Sequence, residues 1–228
     1  MIRGVEASRR GMAFEQVRTD VIADNLANLN TPGFKRSTAV GAEFGTALLH
    51  RLENTPSGPD GSPAVGPLGL GSVLAEAAVD MAQGELVATG MPLDVALLVP
   101  GQFVYMGPAG PGYTRSGAFH RDASGQLVTA DGYPVLVNGA PVGAGAGTLR
   151  VEEDGTVVAD GVAVGRLDIV GGTGEVRLAV GSLERANVDL AQEMTNLITA
   201  LRSYQANQRA LQWQDQTLSL AANEIGKV

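Results

Sequence analysis

The sequence contains no cysteine. This absence excludes a disulfide framework, a thiolate metal site and thiol redox chemistry. No stretch reaches the roughly 18 consecutive apolar residues of a membrane-spanning helix, and residues 1–10 lack the apolar run of a signal peptide. We therefore expect a soluble protein that carries no cleavable signal peptide and does not use the general secretion pathway.

Aromatic residues are scarce: the chain has five Phe, four Tyr and one Trp, against 31 Gly and 11 Pro. This balance predicts many turns and a thin core of Val, Leu and Ala, which suits short β-strands better than a deep pocket. The net charge is −8, and residues 41–182 hold fifteen acidic but only six basic side chains. Because an acidic middle repels phosphate backbones, we expect no nucleic-acid partner.

Residue sets for catalysis or metal binding are also missing. The two histidines, His50 and His120, lie far apart, and neither has a second histidine or a spaced carboxylate pair to complete a ligand set. Ser116 lies four residues before His120, but no nucleophile elbow or orienting acid accompanies this pair. We expect no enzyme activity, metal, cofactor or small-molecule substrate.

A heptad pattern fills the last forty-odd residues. One column is apolar at every seventh position, and it consists of Leu190, Leu197, Tyr204, Leu211, Leu218 and Ile225. The interleaved column starts apolar and becomes polar or small: Met194, Leu201, Gln208, Asp215 and Ala222. Such a column forms a seam that another helix can bury and an isolated helix cannot. The alternative is one long helix folded onto the chain's own core.

This C-terminal helix has a recognisable start. Asn187 can accept a hydrogen bond from an early backbone N–H, and Asp189 and Glu193 place negative charge near the positive end of the helix dipole. No proline follows Pro141, so the helix is predicted to continue to Gly226.

Residues 3–29 predict a second amphipathic helix, which ends at the Thr31-Pro32-Gly33 turn. Asp24, Asn25, Asn28 and Asn30 interrupt its apolar stripe near that end. Because asparagine amides compete for backbone hydrogen bonds, we expect these side chains to make specific inter-helix or helix-to-loop hydrogen bonds. A fraying helix end that tolerates them is the alternative.

The middle of the chain divides into two parts. Residues 54–71 carry four prolines and five glycines, which predicts a linker or extended arm without a regular ladder. Residues 72–182 alternate short apolar runs with turn pairs such as Asn138-Gly139 and Asp160-Gly161, a pattern typical of β-hairpins.

The predicted fold class is therefore α+β, with terminal helices that pair as a coiled coil and a central antiparallel, mostly-β domain. We place an N-terminal helix and turn at 1–36, a linker or arm at 37–71, the β-domain at 72–182 and the C-terminal helix at 183–228.

Segment 24–35 reads DNLANLNTPGFK. It resembles the N-terminal signature of bacterial flagellar rod and hook proteins, commonly written Asn-Asn-Leu-Ala-Asn followed by a Thr-Pro-Gly-Phe turn. Segments 83–96, 113–136 and 187–207 are similar to the entry strand, the hairpin core and the C-terminal helix of the same family. Two departures are Asp24, where the family usually has asparagine, and the loop Val99–Phe103, which replaces a Gly-Asp-Gly-Phe-Phe type of turn.

The resemblance implies a structural subunit of the flagellar basal body, exported by the flagellar type III apparatus and polymerised with itself and other rod or hook subunits into a hollow shaft. One β-domain favours a rod protein of the distal or proximal type, with a preference for the distal type. The expected assembly interface comprises Asn25, Leu26, Asn28, Asn30, Thr31, Pro32, Gly33, Phe34, Leu190, Met194, Leu197, Leu201, Tyr204, Leu211, Leu218 and Ile225.

A rival hypothesis is a secreted surface- or carbohydrate-binding module with a helical oligomerisation stalk. Such a module needs an exposed aromatic platform, and the middle of the chain offers only Phe103, Tyr105, Tyr113, Phe119 and Tyr133, without tryptophan.

Overall fold

The computed structural model describes residues 2–43, 46–50, 64–69, 72–142, 147–172 and 175–225. The chain divides into two compact units. One, here called the helical unit, contains Met1–Asn25, Ser37–Val79 and Leu190–Val228; the other, called the β-unit, contains Leu26–Arg36 and Asp80–Asp189.

Two long helices lie at the ends of the chain. Helix α1 spans Ile2–Ala27 and helix α2 spans Leu190–Ile225, which is 36 residues or about 54 Å at 1.5 Å per residue. Helix α1 lies within two residues of its predicted bounds, 3–29, at each end. Helix α2 ends next to the predicted Gly226 but begins seven residues after the start of the segment 183–228 that we assigned to it. Asn187 differs from its predicted role, because its side-chain oxygen accepts the Arg36 N–H at 2.7 Å instead of an α2 amide.

Two antiparallel ribbons lie between these helices in sequence. Strand β1 (Ser37–Glu43) pairs with β4 (Ser72–Val79), and β2 (Thr46–His50) pairs with β3 (Ala64–Gly69). The second pairing differs from our expectation that residues 54–71 hold no regular ladder. In a two-stranded ribbon both strands are edges, so Pro67 can lie where its missing N–H costs no ladder bond. Residues 51–63 lie outside the described residues.

The β-unit consists of short strands. In chain order they are β5 (Leu86–Ala88), β6 (Val95–Leu97), β7 (Gln102–Gly107), β8 (Gly110–Thr114), β9 (His120–Arg121), β10 (Leu127–Val128), β11 (Leu136–Val137), β12 (Ala140–Pro141), β13 (Leu149–Val151), β14 (Thr156–Ala159), β15 (Val162–Arg166), β16 (Ile169–Val170), β17 (Leu178–Val180) and β18 (Ser182–Glu184). Three-stranded sheets form in the orders β16-β7-β8 and β13-β14-β15, and the remaining strands pair two by two. The pairings between these strands are antiparallel, as predicted.

Local turn chemistry fixes the hairpins of the β-unit. Asn138 and Gly139 have φ values of 50° and 78° between β11 and β12, and Asp160 and Gly161 have values of 51° and 80° between β14 and β15. Positive φ at two successive residues is the requirement of a type I′ hairpin turn, which Asn-Gly and Asp-Gly pairs satisfy at low cost. These two predicted hairpins are confirmed.

The hydrophobic core lies inside the β-unit. Phe103 and Phe119 meet edge to face with ring centroids 5.0 Å apart, a favourable aromatic geometry. Around them pack buried aliphatic side chains, among them Val95, Leu97, Leu127, Val135, Val157 and Leu178. Small aliphatic residues thus supply most of this core, as the composition predicts.

The α+β class is confirmed: a helix lies at each end and an antiparallel β-region in the middle. The unit boundaries differ from our predicted segments in three places. Residues 183–189, which we grouped with the C-terminal helix, belong to the β-unit. Residues 72–79 belong with β1 in the helical unit because they form its partner strand. Residues 26–36, which we grouped with the N-terminal helix, belong to the β-unit.

Candidate assembly surfaces

The turn after α1 is hydrogen-bonded through its backbone to strand β18 of the same unit. Gly33 adopts a φ of +70°, and its N–H donates to the Glu184 carbonyl at 2.7 Å. A Cβ at position 33 would lie 2.4 Å from the carbonyl carbon of Arg115. Only glycine therefore fits between this turn and the strand end that carries Arg115.

Beside this turn, one buried carboxylate binds two buried cations. The Lys35 ammonium lies 2.5 Å from Oε1 of Glu184, and Nε of Arg115 lies 2.9 Å from Oε2. The Gly84 N–H also donates to Oε1, at 3.0 Å. Lys35, Arg115 and Glu184 are each at most 8% exposed. The Glu184 carboxylate therefore balances the positive charges of two side chains that are largely shielded from water.

The electrostatics of Glu184 combine opposing effects. Burial by itself raises the pKa of the Glu184 carboxyl, but hydrogen bonds from Lys35, the Gly84 amide and Arg115 hold that pKa below its usual value of 4.5. The carboxylate is therefore ionised in the folded protein at neutral pH.

Arg115 also holds the loop that departs from the family pattern. Its guanidinium donates to the carbonyl oxygens of Leu97, Val99 and Gly101 at 2.6–3.1 Å. The Val99–Phe103 loop thus has a defined set of backbone contacts despite its unusual sequence, and Phe103 is fully buried.

Asn25 makes the hydrogen bonds that its position in α1 predicts. Its amide donates to the Ser37 carbonyl at 2.8 Å and accepts the Ser37 N–H at 2.9 Å. The same Nδ2 lies 3.5 Å from Oε2 of Glu193 in α2. Because Asn25 is fully buried, these bonds satisfy a polar group that burial would otherwise penalise. The helix-to-loop and inter-helix contacts expected of Asn25 are confirmed.

Asn187 joins the ends of three chain segments. While its oxygen accepts the Arg36 N–H, its Nδ2 donates to the carbonyls of Asp80 and Ala82 at 2.9 and 3.1 Å. Asp80 N–H in turn donates to the Arg36 carbonyl at 2.8 Å. The Asn187 side chain therefore links the three segment ends of the β-unit, which lie near residues 36, 80 and 187.

Helix α2 buries a different column from the one that its sequence suggests. Glu193 and Ala200 are buried, whereas Met194 and Leu201 of the predicted interleaved column are 53% and 45% exposed. The buried column lies one residue earlier in the heptad. The apolar column at Leu197, Tyr204, Leu211 and Leu218 is half-buried.

An apolar stripe remains uncovered on the first three turns of α2. We call it the α2 stripe, and it consists of Leu190, Met194, Ile198 and Leu201, which are 45–53% exposed. Spacings of four and three place these side chains on one face of the helix. A contiguous exposed patch of this kind is typical of a protein–protein contact surface.

A second apolar surface lies next to the turn after α1. A pocket of about 260 Å³ is lined by Leu29, Asn30, Pro32, Val87, Leu183 and Ala186, among others. Asn30 and Pro32 belong to the expected interface. Val87, which lines the pocket, is 39% exposed, so the pocket opens at the protein surface.

The described residues contain no group of three His, Cys, Asp or Glu side chains that could hold a metal ion. Among the helices that the structure describes, none is long and apolar enough to cross a membrane. His120 lies exposed on β9.

The fold and these surfaces together define an α+β protein with a compact β-unit, long terminal helices and apolar surface open to a partner. Three family models match successive parts of the chain: "Flagella basal body rod protein" at residues 6–35, "Flagellar hook protein FlgE/F/G D1 domain" at 100–159 and "Flagellar basal body rod FlgEFG protein C-terminal" at 179–224.

Full-length relatives agree with the family models. The chain is 31% identical to the flagellar basal-body rod protein FlgG of Agrobacterium fabrum, over 98% of this chain and 100% of the relative. It is 30% identical to FlgG of Borreliella burgdorferi, over 98% of each chain. It is 27% identical to the flagellar hook-basal body complex protein FlhO of Bacillus subtilis, over 100% of both chains. The chain belongs to the flagellar basal-body rod protein family.

The structure separates the expected interface residues into three groups. Asn25 and Gly33 are buried and hold the chain's own fold. The exposed group consists of Asn30, Thr31, Leu190, Met194 and Leu201. The half-buried group consists of Leu26, Asn28, Pro32, Phe34 and the α2 column Leu197, Tyr204, Leu211 and Leu218. The side chain of Ile225 lies outside the described residues.

Sequence reasoning missed two features. One is the place of Ile198 in the α2 stripe, which its spacing of four from Met194 could have revealed. The Lys35–Glu184 pair has a sequence separation of 149, and no local pattern reveals it.

Proposed function

We propose that this protein is a structural subunit of the flagellar basal-body rod. Its terminal helices pair as a coiled coil and polymerise with further copies and with other rod or hook subunits into the hollow axial shaft that transmits torque. The subunit reaches the basal body through the flagellar type III export apparatus and performs no enzymatic step. Family membership and the names of the relatives support this assignment.

The α2 stripe is the observation that carries the assembly proposal. Four large apolar side chains remain about half exposed along one helix face. Burying the remainder would contribute roughly 3–6 kcal/mol. Because association itself costs roughly 4–15 kcal/mol in lost translational and rotational freedom, one such contact does not hold two subunits together. Repeated head-to-tail contacts around and along a shaft supply the surplus.

The test replaces two of the four side chains of the α2 stripe and leaves the rest of the chain unchanged. Ile198→Asp combined with Leu201→Asp places two charges where a neighbour's apolar surface would lie. We expect the purified variant to keep its helix content and unfolding midpoint, since both side chains are exposed in one copy. In a bacterium whose own gene is deleted, the variant should be exported but absent from isolated rods, and cells should not swim.

The matched control is Ile198→Leu combined with Leu201→Met, which keeps the volume and apolar character of the surface. This control should restore swimming. Normal swimming and normal rod composition with the two aspartates would show that the α2 stripe is not an assembly contact.

Distal placement within the rod stays a prediction from the sequence. The FlgG names of the relatives support a FlgG-like subtype. Imaging a tagged copy in isolated basal bodies distinguishes the distal from the proximal position.

A further inference from the structure

Two glycines of α1 lie directly against amide side chains of α2. A Cβ at Gly4 would lie 2.6 Å from Nε2 of Gln214, and a Cβ at Gly11 would lie 2.8 Å from Nδ2 of Asn207. The two glycines are seven residues apart, and so are the two amides, in the opposite direction. The helices therefore run antiparallel with a heptad register, and each amide occupies the space that a missing side chain leaves.

A third layer continues this register at the other end of α1. Asn25 lies fourteen residues beyond Gly11, and its Nδ2 is 3.5 Å from Glu193, which lies fourteen residues before Asn207. Both residues are at most 1% exposed. The heptad between these layers places Arg18 opposite Ala200, which is fully buried. Three of these four layers thus pair a larger side chain on one helix with glycine or alanine on the other. The fourth layer pairs two polar side chains, Asn25 and Glu193.

We propose that these polar and size-matched layers, and not the apolar column of α2, set the register in which the two terminal helices pair within one copy. A single buried polar pair in a helix seam specifies register because any other alignment leaves a polar group unpaired. Apolar side chains such as Leu197 and Leu211 tolerate alternative alignments, since leucine packs against many neighbours. The inference concerns a single copy and holds whether or not copies assemble.

A slip by one heptad shows why several layers are needed. If α2 moved so that Gln214 faced Gly11, one glycine–amide layer would survive. Arg18 would then face Asn207, which replaces a large–small pair by two large side chains. Asn25 would face Ala200, and the inter-helix contact between Asn25 and Glu193 would be lost. The two glycine layers alone therefore do not exclude the slipped register, whereas the Asn25 and Arg18 layers do.

Disulfide trapping tests the register, because the chain contains no cysteine of its own. A Cβ at Gly11 would lie 3.3 Å from Cγ of Asn207. Cβ of residue 207 is one C–C bond from that atom, so the two Cβ atoms are close enough for the roughly 3.5–4.5 Å Cβ–Cβ separation of a disulfide. The full-length protein carrying Gly11→Cys and Asn207→Cys should crosslink within one chain under mild oxidation. Asn207→Cys also removes the amide that a side chain at position 11 would meet.

The matched control carries Gly11→Cys with Gln214→Cys, which only the slipped register brings together. We expect the first pair to crosslink at least about tenfold more than the control, since each 1.4 kcal/mol between two registers is a tenfold population ratio. Non-reducing gel electrophoresis of dilute protein separates the faster intrachain product from a dimer. Equal crosslinking of both pairs, or a product that is mainly dimeric, would overturn the proposal.

A second variant identifies the residues responsible. Asn25→Leu with Glu193→Leu replaces the buried polar layer by an apolar one that does not discriminate between registers. In this background the control pair should gain crosslinking at least severalfold while circular dichroism shows both helices retained. An unchanged crosslinking ratio with retained helices would show that the Asn25 layer does not specify the register.

Discussion

A single carboxylate, Glu184, links three separate parts of the β-unit. It balances Lys35 from the turn after α1 and Arg115 from the end of β8, and its backbone carbonyl accepts the Gly33 N–H. Removing one partner of a buried ion pair leaves an uncompensated charge without water, which costs far more than the net contribution of the intact pair. Here the removal would leave two cations without their counter-ion.

We therefore expect Glu184→Gln, which keeps the shape of the side chain, to destabilise the protein by about 3–5 kcal/mol. Urea unfolding followed by circular dichroism measures this loss. Glu85→Gln is the control, because Glu85 pairs with Arg185 at 3.3 Å with both side chains more than half exposed, and exposed pairs contribute only about 0–1 kcal/mol. Similar losses for the two variants would contradict the assigned role of Glu184.

The pH dependence provides a second measure of the same residue. The folded pKa of Glu184 lies below its usual value of 4.5, so the unfolded chain binds the proton more readily. The contribution of Glu184 is thus fully present above pH 4.5 and is lost as the pH falls through the folded pKa. We expect Glu184→Gln to flatten the decline in stability below pH 4.5.

At the scale of elements, the turn after α1 packs closely against the backbone at Arg115, and this close approach depends on Gly33. A side chain there faces two separate penalties: a φ of +70° and a Cβ placed 2.4 Å from the Arg115 carbonyl carbon. We expect Gly33→Ala to cost about 2–5 kcal/mol, the sum of backbone strain and overpacking.

Gly132→Ala separates the two penalties. Gly132 has a φ of +83°, but no atom lies within 4 Å of a Cβ built on it. This control should cost only about 1–2 kcal/mol, which is the expense of the left-handed conformation alone. Equal unfolding free energies for the two variants would show that Gly33 is required for its φ and not for its close approach to Arg115.

The elements differ in how well the sequence predicts them. Hairpins at Asn138-Gly139 and Asp160-Gly161 were predictable, because two neighbouring residues determine a type I′ turn. The column of α2 that faces α1 was not, because its members Glu193 and Asn207 are residue types that ordinarily face water. These two side chains lie against Asn25 and Gly11 in the helix at the other end of the chain, and no local pattern reveals such a contact. The β2–β3 ribbon was missed because its proline indicated a break in any ladder.

At the scale of the whole molecule, the two units differ in how their burial is distributed. The hydrophobic core cluster lies within Asp80–Asp189. Among residues of the helical unit whose side chains the structure describes, the buried apolar ones are Ile22 and Ala200. The turn-rich middle of the sequence predicted the β-unit, whereas the role of the apolar α2 column as an assembly contact stays a prediction. We therefore expect the β-unit to fold from its own contacts, and the terminal helices to depend on pairing and on neighbours.

A fragment of the chain tests this division. Since the Asp80 N–H donates to the Arg36 carbonyl at 2.8 Å, a short glycine-containing turn can replace residues 37–79, and the fragment then comprises residues 26–36 joined to 80–189. We expect a monomer that unfolds cooperatively with a stability of roughly 5–10 kcal/mol and that does not enter rods. The fragment retains Lys35, Arg115 and Glu184, so Glu184→Gln should destabilise it as much as it destabilises the full chain. A fragment that lacks a cooperative transition and binds a hydrophobic dye would show instead that the β-unit needs the helices to fold, because loss of fixed packing exposes apolar surface in this way.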